Sequence, residues 1–317
     1  MRQRWRQLSP RWKWFLTLVL IFSLFLTIFI TFVYSEVQRT ADLMYEEYEP
    51  SIVKSPVKDV SEGEASNVAS AAKPITVLLL GVDERAENKG RSDTMIVLAL
   101  NPEDKTTKML SIPRDTLTSI EGYREADKIN HAYAYGGAAT TKKTVEQLLQ
   151  IPIDYVVTIN MEGFLAAIDA VEGVTVTNPF AFTYEGETYE KGNILLSGEQ
   201  ALGFVRMRYD DPAGDFGRQD RQKNVVKGLL QKLATPQALI KLPTFQKVAE
   251  SHVRMNIRLN DIPNLHKHYR DSLKQFESIR ITQGRGEMRG GIYYYVLDPS
   301  ELQDIQTELQ SFIAVDK

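Results

Sequence analysis

Trp14 to Tyr34 is an uncharged, strongly apolar run of 21 residues, and it constrains this chain more than any other feature. At about 1.5 Å per residue a helix of that length crosses a hydrocarbon core of about 30 Å. The run is longer than the apolar part of a cleavable signal peptide and leaves through Phe32, Val33 and Tyr34 without a small-residue cleavage pattern. Arg2, Arg4, Arg6, Arg11 and Lys13 precede it, and the first acidic residue is Glu36. A positive flank holds the N-terminus in the cytoplasm. The expected layout is a cytoplasmic tail over 1–13, a transmembrane helix over 14–34, a linker over 35–73 and an extracytoplasmic domain over 74–317. That is a single-pass, type II protein of the cell membrane. Val37 to Tyr48 is expected to extend the anchor helix before a stalk rich in Ala, Ser and Glu.

Charge limits the partners. The net charge is −3, but setting the five N-terminal cations aside leaves 33 basic against 41 acidic residues, a net of −8. An acidic body lacks the footprint of a nucleic-acid binder, so any anion site in it must be a local gathering of arginine. The sequence has no cysteine, which excludes thiolate nucleophiles and Cys-ligated metals. Its four histidines do not form a zinc-like set. It has no G-x-S-x-G elbow, no P-loop and no H-E-x-x-H.

The exterior part reads as one α/β domain. Ile75–Gly81, Thr94–Leu100, Lys108–Ile112 and Ile153–Ile159 are short apolar runs expected to form strands. Helical patterns cover Lys128–Tyr135, Ala138–Gln150, Met161–Val171 and Arg218–Ala234, and a last helix begins near Ser300. Ser197-Gly-Glu-Gln200 has the form of a capping box and opens a helix towards Arg206. A hairpin is expected near Thr183–Tyr189 and a strand near Tyr293–Leu297. Strands interleaved with helices imply layered α/β architecture.

What remains for chemistry is arginine and aspartate at strand ends, where open α/β sheets place ligands. Asp83 and Arg85 follow the first strand, Arg91 and Asp93 precede the second, and Arg114 follows the third. Arg206 and Arg208 come later, then Asp215, Arg218, Arg221 and Gln222. Guanidinium forks match phosphate oxygens, and aspartates hold Mg²⁺ together with substrate phosphates. Arg218, Arg221 and Gln222 lie at i, i+3 and i+4 and are expected to share one helical face near a helix N-terminus, where anions are favoured. The stretch from Arg206 to Arg221 is equally consistent with a surface ion-pair network, because it carries four arginines and four aspartates. On residues alone both readings stay open.

The ordered segments LLLGVDER, GRSDTMIVLALNP, MLSIPRDT, KINHAYAYGG, IDYVVTINMEGF, LLSGEQALGFVRMR and DFGRQDRQ resemble the LytR-CpsA-Psr family of cell-wall attachment proteins. The resemblance implies a three-layer α/β/α domain with a central mixed sheet. It also implies a phosphotransferase that moves an anionic glycopolymer, such as wall teichoic acid, from an undecaprenyl-pyrophosphate carrier to peptidoglycan. The implied acceptor is the C6 hydroxyl of N-acetylmuramic acid. By motif position, Asp83 and Asp93 correspond to Mg²⁺-associated carboxylates. Arg91, Arg114, Arg206, Arg208 and Arg218 correspond to a pyrophosphate clamp with Gln222 beside it. Asp93 and Arg114, with Asp83 as a candidate proton acceptor, form the expected catalytic set; Arg85, Asp215 and Arg221 are secondary candidates. Two rival readings share these residues: a lipid-pyrophosphate hydrolase with water as acceptor, and a non-catalytic envelope regulator. Against the second, a cytoplasmic part of about 13 residues is too short for a DNA-binding module.

Overall fold

The computed structural model describes residues 10–51, 53, 72–84, 90–208, 211–235, 251–258 and 261–314. In chain order the first half contains α1 (Pro10–Met44), β1 (Ile75–Val82), β2 (Ser92–Asn101), β3 (Thr106–Ser111), β4 (Leu117–Ser119), β5 (Ala126–Lys128), α2 (His131–Leu149), β6 (Tyr155–Asn160) and α3 (Met161–Ala170). Four short strands follow: β7 (Val174–Asn178), β8 (Phe182–Tyr184), β9 (Glu187–Tyr189) and β10 (Gly192–Leu196). Then come α4 (Gly198–Arg206), α5 (Asp215–Leu233), β11 (Val253–Met255), α6 (Ile262–Tyr269), β12 (Gln275–Ile279), β13 (Arg285–Arg289), β14 (Ile292–Val296) and α7 (Pro299–Ile313).

The central sheet has six strands in the order β11-β6-β1-β2-β3-β12. It is mixed: β1 runs parallel to β6 and antiparallel to β2, and β12 runs parallel to β3. Helices cover both faces. Leu78, Leu80 and Val97 pack with Val145 and Leu149 of α2 and with Ile305 and Leu309 of α7. On the opposite face Ile96, Leu98 and Leu100 meet Val226 and Leu230 of α5 and Tyr269 of α6. A separate cluster around Phe204 joins α4 to β7–β10.

Strand β1 shows how sequence becomes shape. ITVLLLGV is apolar on nearly every residue, which suits a central strand. Yet only Thr76, Leu78, Leu80 and Val82 are fully buried, and the alternate set is half-buried. The second face therefore borders an open space that the covering helices do not fill. Local chemistry fixes those helices. Ser197 Oγ accepts from the Gln200 amide at 3.3 Å while Gln200 Oε1 accepts from the Ser197 amide at 3.1 Å, so the expected capping box is formed. The two helical patterns expected over 128–150 form one helix kinked at Gly136 and Gly137, the latter at φ 68°. Only glycine adopts that conformation without strain.

Helix α1 carries the apolar run, with Leu18, Leu20, Phe22 and Phe25 exposed. Among the described residues, no helix is long and apolar enough to cross a membrane. The first part of the expected linker packs on the domain instead of standing off it. Met44 is buried against Val253, the Glu46 amide donates to Met255 O at 2.9 Å, and Tyr48 packs against the main core. Residues 54–71, the middle of that linker, lie outside the described residues.

A buried pair ties α2 to the start of β6. Lys142 Nζ lies 2.9 Å from Glu146 Oε1, with side chains 4% and 0% exposed, and the same oxygen accepts from the Ile153 amide at 2.9 Å. Removing one partner strands the other's charge. Glu146→Ala is expected to cost about 3–5 kcal/mol in denaturant unfolding, whereas a Lys142→Met/Glu146→Leu double variant recovers most of the loss. A single variant as stable as the parent would contradict this account.

Candidate active site

The open space bordering β1 is a cavity of about 740 Å³. Its walls are Ile75, Val77 and Leu79 of β1, Ile96, Leu98 and Leu100 of β2, Val157 and Ile159 of β6, and Val226, Leu229 and Leu233 of α5. The polar lining includes Asp83, Asp93, Arg114, Arg206, Arg218 and Gln222. These residues come from the ends of β1 and β2, the turn after β3, the end of α4 and the first turns of α5.

A register shift aims Asp93. Gly81 pairs with Thr94 and Val82 with Ser92, so Asp93 is the extra residue of a β-bulge. Bulges re-aim side chains and recur beside active sites. Gly81 suits the tight pairing beside it, because a Cβ there would lie 3.0 Å from Thr94 Cβ. Asp93 Oδ1 meets Arg114 Nη1 at 3.1 Å and accepts from Asn130 Nδ2 at 3.4 Å. The Arg114 carbonyl also accepts from the Asn130 amide at 3.2 Å.

Arg218 stands on the first turn of α5, with Nη2 2.6 Å from Asp215 Oδ1. Its Nε is buried and has no hydrogen-bond partner among the described residues. The Arg218 side chain also lines the cavity, where a guanidinium suits an entering anion. Burial pushes the Arg218 guanidinium below its usual range; Asp215 pulls it back, while Arg114 and Arg208 push it further down. Arg114 and Arg208 thus lie within reach of the Arg218 charge.

Other sequence candidates take different places. Arg91 is exposed beside the bulge, and its carbonyl accepts from the Asp83 amide at 3.1 Å. Arg208 is exposed beyond the end of α4. Neither is part of the cavity lining. Arg85 lies outside the described residues. Arg221 is 3% exposed and turned into the protein. Its Nε donates to Phe204 O at 2.9 Å, and its two terminal nitrogens bond Asp211 and the Met207 carbonyl. A helix turns about 100° per residue, so Gln222 returns to within about 40° of Arg218, whereas Arg221 stops about 60° short.

An apolar cavity with converging guanidiniums and carboxylates is matched by family evidence. Residues 31–311 fit the family model described as the LytR_cpsA_psr family. The chain belongs to that family. A relative from Bacillus cereus (strain AH820), named polyisoprenyl-teichoic acid--peptidoglycan teichoic acid transferase TagU, is 42% identical over 266 residues, covering 84% of this chain and 88% of its own. The crystal structure of B. subtilis TagU is similar at a TM-score of 0.64 and 40% identity, covering 78% of this chain and 99% of that one. A structure described as TagT bound to LI-WTA matches at a TM-score of 0.65 and 34% identity, covering 80% of this chain and 95% of that one.

Asn130 escaped the sequence reading. It stands just before α2, in the place of an N-cap, yet its side chain makes no capping bond. It bonds Asp93 instead. The signal available was an N-cap residue type in a family-like segment, KINHAYAYGG, which on residues alone reads as a helix start.

Arg221 and Arg218 give opposite expectations. Arg221→Ala removes the partner of Asp211, which is 4% exposed at its side chain, and should lower stability by about 3–5 kcal/mol in denaturant titrations. Arg218→Ala should leave the unfolding midpoint nearly unchanged. Equal losses in the two variants would refute this division.

Proposed function

We propose that this chain is a transferase that joins an anionic glycopolymer of the teichoic acid type to peptidoglycan, taking it from an undecaprenyl-pyrophosphate carrier. One observation carries the reading: an apolar cavity whose polar lining is a set of arginines and aspartates from separate elements. A polyisoprenyl tail suits the first part and a diphosphate the second. Ligand sites are typically cavities of about 300–1,000 Å³, mostly apolar with a few placed polar groups. The names of the TagU relatives and of the TagT complex support the same substrate class.

The acceptor hydroxyl attacks the polymer-side phosphorus. A new P–O bond forms to the sugar, the bond to the bridging oxygen breaks, and the carrier leaves as a monophosphate. Arg114 and Arg218 donate to the phosphate oxygens, and Arg206 adds positive charge at the same end. Their contribution grows as charge moves onto the leaving phosphate. Gln222 orients a phosphate oxygen. Arg91 and Arg208, at the exposed edge, attract the incoming anion by longer-range charge. Asp83 takes the proton of the acceptor hydroxyl.

Mg²⁺ is the proposed metal. Asp83 and Asp93 line the same cavity and offer the hard oxygens it prefers. Among the described residues no three acidic or histidine side chains form a metal cluster. Two carboxylates are nevertheless a sufficient protein share, since Mg²⁺ commonly completes its shell with water and substrate phosphates. When bound, it would neutralise charge on the diphosphate oxygens. The uncharged apolar sequence of 14–34, with five basic residues before it, anchors the chain in the cell membrane with the domain outside.

Arg114→Ala and Asp93→Asn should each lower polymer transfer about 10²–10³-fold while the unfolding midpoint holds. The assay supplies lipid-linked polymer with and without peptidoglycan and scores glycan-joined against water-released product. Full transfer by both variants would end the proposal.

A further inference from the structure

Beside the arginine-lined end of the cavity lies a second cluster that the transfer chemistry above does not use. Tyr123 and Tyr135 stack with ring centroids 4.4 Å apart at 25°, and they remain 47% and 39% exposed. Stacked rings normally save apolar surface by going inside; these keep theirs in water. Asp127 organises the polar edge of the stack. Its Oδ2 accepts from Tyr135 Oη at 2.6 Å and meets His131 Nδ1 at 2.7 Å. Its Oδ1 accepts from the Lys128 amide at 2.7 Å and from Tyr294 Oη at 3.4 Å. With Nδ1 engaged, the imidazole is fixed in orientation and Nε2 is its remaining polar atom.

Two links join this cluster to the diphosphate cluster. Lys128 Nζ meets Asp115 Oδ1 at 2.7 Å, and Asp115 Oδ2 lies 3.7 Å from Arg114 Nε. Asn130, which bonds Asp93, is the chain neighbour of His131. A ligand resting on the tyrosines would therefore extend towards Arg114 and its partner Asp93.

Resting on the transferase reading, we infer that Tyr123, Tyr135 and His131 form the docking subsite for the acceptor glycan, receiving a pyranose ring on the exposed tyrosine face. The chemistry selects a sugar over the alternatives. A pyranose offers an apolar C–H face to an aromatic ring and a rim of hydroxyls to fixed polar atoms. A second polyanion is disfavoured, because Asp127, bonded to Tyr135, Tyr294 and His131, places a carboxylate at the edge of the stack. The bland alternative is that the stack only pins the 121–125 loop to α2. That role needs the two rings to touch each other, but it does not need their outer faces or the imidazole.

The test titrates the full chain, held in lipid nanodiscs, with soluble oligomers of alternating N-acetylglucosamine and N-acetylmuramic acid. Tyr123→Ala should weaken binding about fivefold or more, and should raise KM for the glycan more than it lowers kcat. Tyr123→Phe should restore binding, because it keeps the ring face. A weakening by Tyr123→Ala below about fivefold, or tighter binding of an oligonucleotide than of the glycan, overturns the inference. Should Tyr123→Ala fail to fold, nitration of the parent protein decides: bound glycan must protect Tyr123 and Tyr135, and equal nitration with and without glycan refutes the subsite. Binding of lipid-linked polymer is measured separately on the parent protein, so loss of the transferase reading and loss of the docking face give different results.

Discussion

Guanidinium groups from three chain segments can share one cavity only where carboxylates interrupt their mutual repulsion. Asp93 beside Arg114 and Asp215 beside Arg218 do this here, at 3.1 and 2.6 Å. Each pairing engages one terminal nitrogen of a guanidinium that carries two. The arrangement is thus charged enough to hold an anion and balanced enough to fold without one. Strand ends alone would not achieve it. The bulge at Asp93 and the neighbouring Asn130 aim the carboxylate that keeps Arg114 in place.

The apolar half of the site follows from how the sheet is covered. One face of β1 is sealed by α2 and α7, and the other faces α5 and α6 across unfilled space. The same strand therefore serves as core on one side and as cavity wall on the other. Its C-terminal end carries Asp83, so the polar and apolar parts of the site are continuous along one piece of backbone.

Much of this was legible in residues. β1 and β2 announce themselves because central strands are apolar on both faces, and α4 because its capping box is local. β11 and β12 did not, since three or five residues at a sheet edge, largely exposed in β12, carry no apolar run. The motif arginines pointed to the right region but not to their individual directions. Arg206 and Arg208 are two apart and both exposed, yet only Arg206 reaches the cavity wall, because α4 ends between them. Arg221 is adjacent in sequence to Gln222 and differs from it by the turn of a helix. The bulge was not readable either, because register is a relation between two strands and not a property of one.

The half-covered face of β1 has a thermodynamic consequence. The apolar walls of the cavity gain dispersion contacts with any apolar molecule seated among them. Any molecule that enters couples its own binding to folding, adding about 2.7 kcal/mol at a hundred times its dissociation constant. Heat resistance in such a protein becomes a gauge of cargo, and preparations that differ only in retained lipid would melt at different temperatures.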